Sequence, residues 1–106
     1  MSATTTPAAE ELLSIAIFRA VAGRTAEAVQ VLRELDTQLR AKGYSRDILY
    51  EDTAHPGRFV LLRYWRSAEH RTSAHQDVEI HDYWAKLARL IEVEEVFERL
   101  QPPENP

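Results

Sequence analysis

The segment RFVLLRYWR, residues 58–66, constrains the fold of this chain more than any other feature. Its aromatic and branched residues predict a β-strand, and successive side chains of a strand point to opposite faces. Both faces are apolar: Phe59, Leu61 and Trp65 lie on one, and Val60, Leu62 and Tyr64 on the other. A chain of 106 residues can build one modest core, with helices on one side of a sheet. We therefore expect a second copy of the chain to cover the other side.

The first half of the chain predicts two further strands and a helix. LLSIAIFRAV, residues 12–21, is also apolar on both alternating faces, as an inner strand is. Thr25 is a candidate N-cap for a helix whose apolar residues recur at helical spacing as far as Gly43. YSRDILYEDT, residues 44–53, predicts a strand that the turn AHPG joins to residues 58–66 in a hairpin.

The second half predicts helices and a last strand. Ser67 can cap a short helix, AEHRTSAH, and Asp77 can cap a longer one over residues 78–91. Residues 92–100 complete the order β-α-β-β-α-β, with an extra helical turn before the second main helix. This order predicts an α+β, ferredoxin-like fold in which two helices cover one face of a four-stranded antiparallel sheet. In the last strand we expect Val93 with Phe97 on one face, and Val96 with Leu100 on the other.

One domain is expected over residues 12–100. Residues 1–11 are small and polar without periodicity, and residues 101–106 contain three prolines, so both are expected to be tails.

Composition excludes several classes of function. Thirteen Lys and Arg against seventeen Asp and Glu give a net charge of −4, so no nucleic-acid partner is expected. No cysteine is present to form disulfides or thiolate metal sites, and no apolar run is long enough for a membrane span. A cytoplasmic protein is expected. His70, His75 and His81 lack the i,i+4 spacing of a helical metal site, and no phosphate-binding glycine loop occurs, so neither metal nor nucleotide cofactor is expected.

The segment HPGRFVLLRYWRSAEHRTSAHQDVEIHDYW resembles the antibiotic biosynthesis monooxygenase (ABM) family, and the likeness extends over most of residues 12–100. The resemblance implies a homodimer that pairs through the sheet face, a dimeric α+β barrel, with a cavity between sheet and helices in each subunit. It also implies oxidation of a small aromatic, quinol or polyketide-derived metabolite by O2 without metal or flavin.

The resemblance also implies roles for particular residues. Trp65 matches a family tryptophan and is expected to form an aromatic wall, although a plain core role is an alternative. His75 matches a family histidine and is the candidate catalytic base, because an imidazole titrates near neutrality; a surface or capping role is the alternative. Arg63 shares the face of Trp65 and is a candidate partner for an anionic substrate oxygen, or else for a carboxylate on a neighbouring strand.

Further residues are candidates for the site, and several positions differ from the family pattern. His81 is expected at the rim of the cavity or on a solvated helix face, and Trp84 in the cavity wall or the core. The anthrone-oxidising branch of the family carries Asn where this chain has Leu61, a further candidate lining residue, and Tyr where it has Arg71. The haem-degrading branch is disfavoured, because the first strand has no Asn and the short helix no Trp. Because the Asn and Tyr of the anthrone-oxidising branch are missing, a non-catalytic dimeric barrel that binds a small hydrophobic ligand is the alternative function.

Overall fold

Secondary-structure elements follow the order β-α-β-β-α-α-β in the computed structural model, which describes residues 10–103. Within these residues the elements are β1 (Leu12–Ala20), α1 (Thr25–Ala41), β2 (Ser45–Glu51), β3 (Arg58–Trp65), α2 (Ala68–His75), α3 (Val78–Ala88) and β4 (Ile91–Leu100). The predicted ferredoxin-like α+β fold is confirmed. Most of the two predicted tails, residues 1–9 and 104–106, lies outside the described residues. In the part described, no helix combines the length and apolar character that a membrane crossing requires.

The four strands form one antiparallel sheet in the order β2-β3-β1-β4. The two strands that are apolar on both faces, β1 and β3, are therefore its central pair, as the sequence predicts. The predicted hairpin joins β2 and β3. In its turn Gly57 has φ 87°, a left-handed conformation that a side chain would strain.

The core lies between one face of the sheet, called here the inner face, and the helices. Phe18 of β1 stacks on Phe59 of β3, with ring centroids 5.6 Å apart, and both rings are buried. From α1 and α3, Leu35, Leu39 and Ile80 pack into this layer and are fully buried. Residues at helical spacing thus cover one side of the sheet only.

The opposite or outer face of the sheet carries a row of large apolar side chains across all four strands. Cross-strand pairing places Ile48 opposite Leu62, Leu62 opposite Ile15, and Ile15 opposite Phe97. No helix of the described chain lies over this row. Phe97 is 40% exposed, and the other three side chains are half-buried between their neighbours.

Two predicted helix caps are confirmed and one is wrong. The Ser67 hydroxyl accepts a hydrogen bond from the amide of His70, and the Asp77 carboxylate accepts from those of Glu79 and Ile80. At α1, Thr25 is already the first helical residue, and the capping position holds Arg24, whose side chain makes no capping hydrogen bond.

Two boundaries near the C-terminus also differ from the predictions. Helix α3 ends at Ala88 instead of continuing to residue 91, because Ile91 already pairs with Ala20 in the sheet. The predicted faces of β4 are wrong: Val93 and Val96 pair with the inner-face residues of β1, whereas Phe97 and Leu100 pair with outer-face residues. The register between β1 and β4 shifts twice, which breaks the simple alternation of faces.

Candidate active site

A cavity of about 270 Å³ opens between the inner face of the sheet and helices α2 and α3. It contains all six residues that the sequence proposes as site residues. Leu61, Arg63 and Trp65 reach it from alternate positions of β3, because residues two apart on a strand share a face. His75 reaches it from the last turn of α2, and His81 and Trp84 from one face of α3, three residues apart.

His75 is an exposed residue whose ring stands between the two tryptophans. Its ring centroid lies 6.0 Å from that of Trp65 and 5.0 Å from that of Trp84. Its Nδ1 lies 2.8 Å from the backbone carbonyl oxygen of Arg71. A carbonyl only accepts, so Nδ1 carries the proton of this hydrogen bond, and Nε2 of the neutral ring is left as an acceptor. The contact therefore fixes the tautomer that a general base requires.

A chain of hydrogen bonds holds the indole of Trp65. The side chain is 2% exposed, and its Nε1 donates to the Ser14 hydroxyl at 2.9 Å. That hydroxyl in turn donates to the backbone carbonyl of Glu98 at 2.8 Å, which connects β3 to β1 and β4. Both the polar atom and the ring face of this tryptophan are therefore fixed in place, as a rigid wall requires.

His81 connects the two helices that roof the cavity. Its ring lies edge-on to Trp84, with centroids 5.2 Å apart. Its Nε2 donates to the backbone carbonyl of His75, the last residue of α2. The beginning of α3 is thereby attached to the end of α2, and Nδ1 of the neutral His81 ring is left as an acceptor.

Arg63 makes the ion pair with a neighbouring strand that the sequence offers as its alternative role. Its Nε and Nη2 each lie 2.8 Å from an oxygen of Asp47, which is directly opposite on β2. The guanidinium carbon also lies 5.7 Å from the centre of the Trp65 ring. Both charged side chains are mostly buried, and this two-point pairing fixes the plane of the guanidinium. The Nη1 group is not engaged by Asp47.

Three polar residues that line the cavity were not proposed as site residues from the sequence: Ser14, Arg71 and Glu98. Arg71 donates from Nη2 to a carboxylate oxygen of Glu98 at 2.7 Å, across the opening between α2 and β4. Ser14 carries a recognisable signal, because it is the lone uncharged polar residue in an otherwise largely apolar strand. Glu98 carries none, since the register shifts in β4 decide which face it occupies.

A cluster of charged and polar side chains at the N-terminal cap of α3 holds this helix in place. The carboxylate of its cap, Asp77, accepts hydrogen bonds from Lys42 Nζ at 2.9 Å and from the Tyr44 hydroxyl at 2.8 Å. The Lys42 ammonium, with the Tyr44 hydroxyl, lowers the pKa of Asp77 to about 2. These contacts attach the helix that carries His81 and Trp84 to the end of α1. Among residues 10–103, no group of three or more His, Asp or Glu side chains has the arrangement of a metal site.

The sequence matches the family described as antibiotic biosynthesis monooxygenase over residues 12–87. SnoaB, a cofactor-independent oxygenase from Streptomyces nogalater, is similar in structure, with a TM-score of 0.72 and 21% identity, covering 91% of this chain and 100% of SnoaB. A protein from Chloroflexus aurantiacus assigned to the antibiotic biosynthesis monooxygenases gives a TM-score of 0.73 and 18% identity, covering 91% and 97% of the two chains. At these identities the likeness shows a shared fold. A search of curated proteins found no match.

Proposed function

The chain belongs to the antibiotic biosynthesis monooxygenase family, and we propose that it oxidises a small aromatic, quinol or polyketide-derived metabolite with O2 and no cofactor. One observation carries the proposal. An imidazole whose Nδ1 is bound to a backbone carbonyl faces a cavity between two indoles, so Nε2 is available to a flat substrate. A base beside an apolar aromatic slot is the equipment that this chemistry needs.

The reaction requires few protein groups, because the substrate itself reduces oxygen. Nε2 of His75 takes the proton of a phenolic hydroxyl or of an acidic CH group, and the electron-rich anion passes electrons to O2. For a methylene flanked by aromatic rings, one oxygen atom becomes the new carbonyl oxygen and the other leaves as water. All the electrons come from the carbon that is oxidised. Trp65 and Trp84 hold the ring, and the guanidinium of Arg63 faces the charge that develops.

We further propose a homodimer formed through the outer face of the sheet, as a dimeric α+β barrel. The row Ile48, Leu62, Ile15 and Phe97 supports it, because a band of large apolar side chains across a whole sheet is rarely left in water. Two copies that pair by a two-fold axis would cover the same face of each other. The absence of cysteine suits a reducing cytoplasm as the place where this dimer acts.

Oxygen uptake tests the catalytic proposal. The wild type is mixed with 1,4-dihydroxynaphthalene or 1,4-dihydroxy-2-naphthoate in an oxygen electrode, and uptake is compared with the spontaneous rate. His75→Asn keeps an amide donor near the position of Nδ1 but removes the base, so kcat should fall by roughly 10²- to 10⁴-fold. His55→Asn changes a histidine in the exposed hairpin turn, remote from the cavity lining, and should leave uptake unchanged. Uptake no faster than the spontaneous rate for both substrates, or equal rates for His75→Asn and wild type, would contradict the proposal.

A non-catalytic binding protein is the second candidate function. It is favoured by Leu61 and Arg71, which line the cavity where the anthrone-oxidising branch carries Asn and Tyr. In that case aromatic ligands still bind the cavity after His75→Asn, and neither protein consumes oxygen.

A further inference from the structure

We propose that the ligand of this cavity is an aromatic acid, in which a flat ring of one or two cycles carries both a hydroxyl group and a carboxylate. The inference rests on the proposed function, because it assigns the substrate class of the same cavity. Arg71 would bind the carboxylate, and the imidazoles would receive the hydroxyl.

Arg71 offers donors that the protein does not use. A guanidinium has five N–H groups, and the contact from Nη2 to Glu98 takes one of them. Among the described residues, no partner engages Nε or Nη1 of this side chain. The side chain is 21% exposed and lines the cavity, so these donors lie where solvent is restricted. Together with the second N–H of Nη2, either Nε or Nη1 forms a fork that can bind a carboxylate through two parallel hydrogen bonds.

The existing partner of Arg71 is easily exchanged. The Glu98 side chain is 65% exposed, in contrast to the shielded Asp47 that holds Arg63 at two points. An exposed ion pair with a single contact contributes little, because water competes for both charges. A ligand carboxylate inside the cavity would meet the same guanidinium in a less hydrated place, where the attraction is stronger.

The two histidines of the cavity offer hydrogen-bond acceptors, in contrast to the donors that the arginines offer. Nε2 of His75 and Nδ1 of His81 are hydrogen-bond acceptors in the neutral rings, as their other nitrogens donate to backbone carbonyls. Donors therefore come from the two arginines and acceptors from the two histidines. A hydroxyl that donates and a carboxylate that accepts match this division, and a flat ring between them fits the indoles of Trp65 and Trp84.

The volume of the cavity and the net charge of the chain narrow the class of ligand further. A cavity of about 270 Å³ is near the lower limit of roughly 300–1,000 Å³ that ligand sites occupy, which suits one or two fused rings. The whole chain has a net charge of −4, so its overall field does not attract anions. Recognition of a carboxylate must then come from local donors, and Arg71 has more unused donors than Arg63, which Asp47 holds at two points.

Isothermal titration calorimetry with two matched ligands tests the inference. 6-Hydroxy-2-naphthoate and 2-naphthol share a ring and a hydroxyl and differ in the carboxylate. The wild type should bind the naphthoate at least about 10-fold more tightly than the naphthol. Arg71→Gln should weaken naphthoate binding by roughly 10- to 100-fold and change naphthol binding by less than about 2-fold. Arg71→Lys, which keeps the charge but loses the fork, should recover part of the affinity.

Two further variants separate ligand binding from a structural role. Arg24→Gln removes an arginine that also contacts one glutamate, Glu27, at a distant surface, and should leave both affinities unchanged. Glu98→Gln removes the competing carboxylate, so the naphthoate should bind as tightly as to the wild type or more tightly. If Glu98→Gln weakens the naphthoate as Arg71→Gln does, the ion pair is structural and the inference is wrong.

The outcome of the calorimetry is independent of the outcome of the oxygen assay. Equal binding of both ligands to the wild type, or equal weakening of both by Arg71→Gln, would overturn the inference even if quinols are oxidised. Selective naphthoate binding without oxygen uptake by any substrate would support the inference and contradict only the proposed oxidation.

Discussion

Leu62→Asp should separate the proposed homodimer into single chains. Leu62 lies in the middle of the outer-face row, paired with Ile15 on one side and Ile48 on the other. Full burial of a leucine side chain contributes ~1.5–3 kcal/mol, and a two-fold interface counts each residue twice. Leu62 is already half-buried in the single chain, so about half of that burial, ~1.5–3 kcal/mol over the two copies, is lost with the dimer contact, which weakens the dimer by roughly 10- to 150-fold. Desolvation of two carboxylates without partners adds to this cost.

Sedimentation velocity at micromolar protein concentration provides the measurement. The wild type should sediment as a dimer and Leu62→Asp as a monomer, with the far-UV circular dichroism of the fold retained. Val78→Asp is the matched control, because Val78 is an aliphatic residue that is 74% exposed on α3, away from the sheet. It should remain dimeric. A wild type that sediments as a monomer, or a Leu62→Asp variant that stays dimeric, would refute the reasoning from the outer face.

Two further predictions concern the core and the cap of α3. Phe18→Ala removes a ring that is 1% exposed and stacked on Phe59, so the free energy of unfolding in urea should fall by ~3–5 kcal/mol. Val78→Ala is the control at an exposed position. A loss below ~1 kcal/mol for Phe18→Ala would contradict the packing argument. Asp77→Asn keeps a capping side chain but removes the charge that pairs with Lys42. The pKa of Asp77 is lowered from 3.8 to about 2 in the fold, so its charge stabilises the fold above pH 4, and this contribution is lost as the pH falls towards 2. Melting temperatures of wild type and Asp77→Asn should therefore converge over that interval, and a constant difference would exclude this role.

Much of the fold was predictable because local chemistry decides it. A strand such as β3, apolar on both faces, has to be central, and Gly57 has to form the hairpin turn. Ser67 and Asp77 have side chains that cap helices wherever their backbone permits. The cap of α1 was mispredicted because Thr25 has the right chemistry but lies one residue inside the helix.

Part of the site could be predicted from the periodicity of strands and helices and from the family resemblance. Alternation along β3 brings Arg63 and Trp65 to one face, and the family resemblance adds His75. The partner of Arg63 depends on the register between β2 and β3, which no local pattern determines. Glu98 was not predicted to line the cavity for a similar reason, because two register shifts decide which side of β4 it occupies.

The placement of the indoles gives the protein an optical property. The chain contains two tryptophans, and both stand in the cavity wall on either side of His75. Its ultraviolet emission therefore originates almost entirely from the place where a ligand would sit. A bound aromatic molecule must touch an emitter, so the native chain, with no dye attached, reports occupancy of its own cavity by quenching.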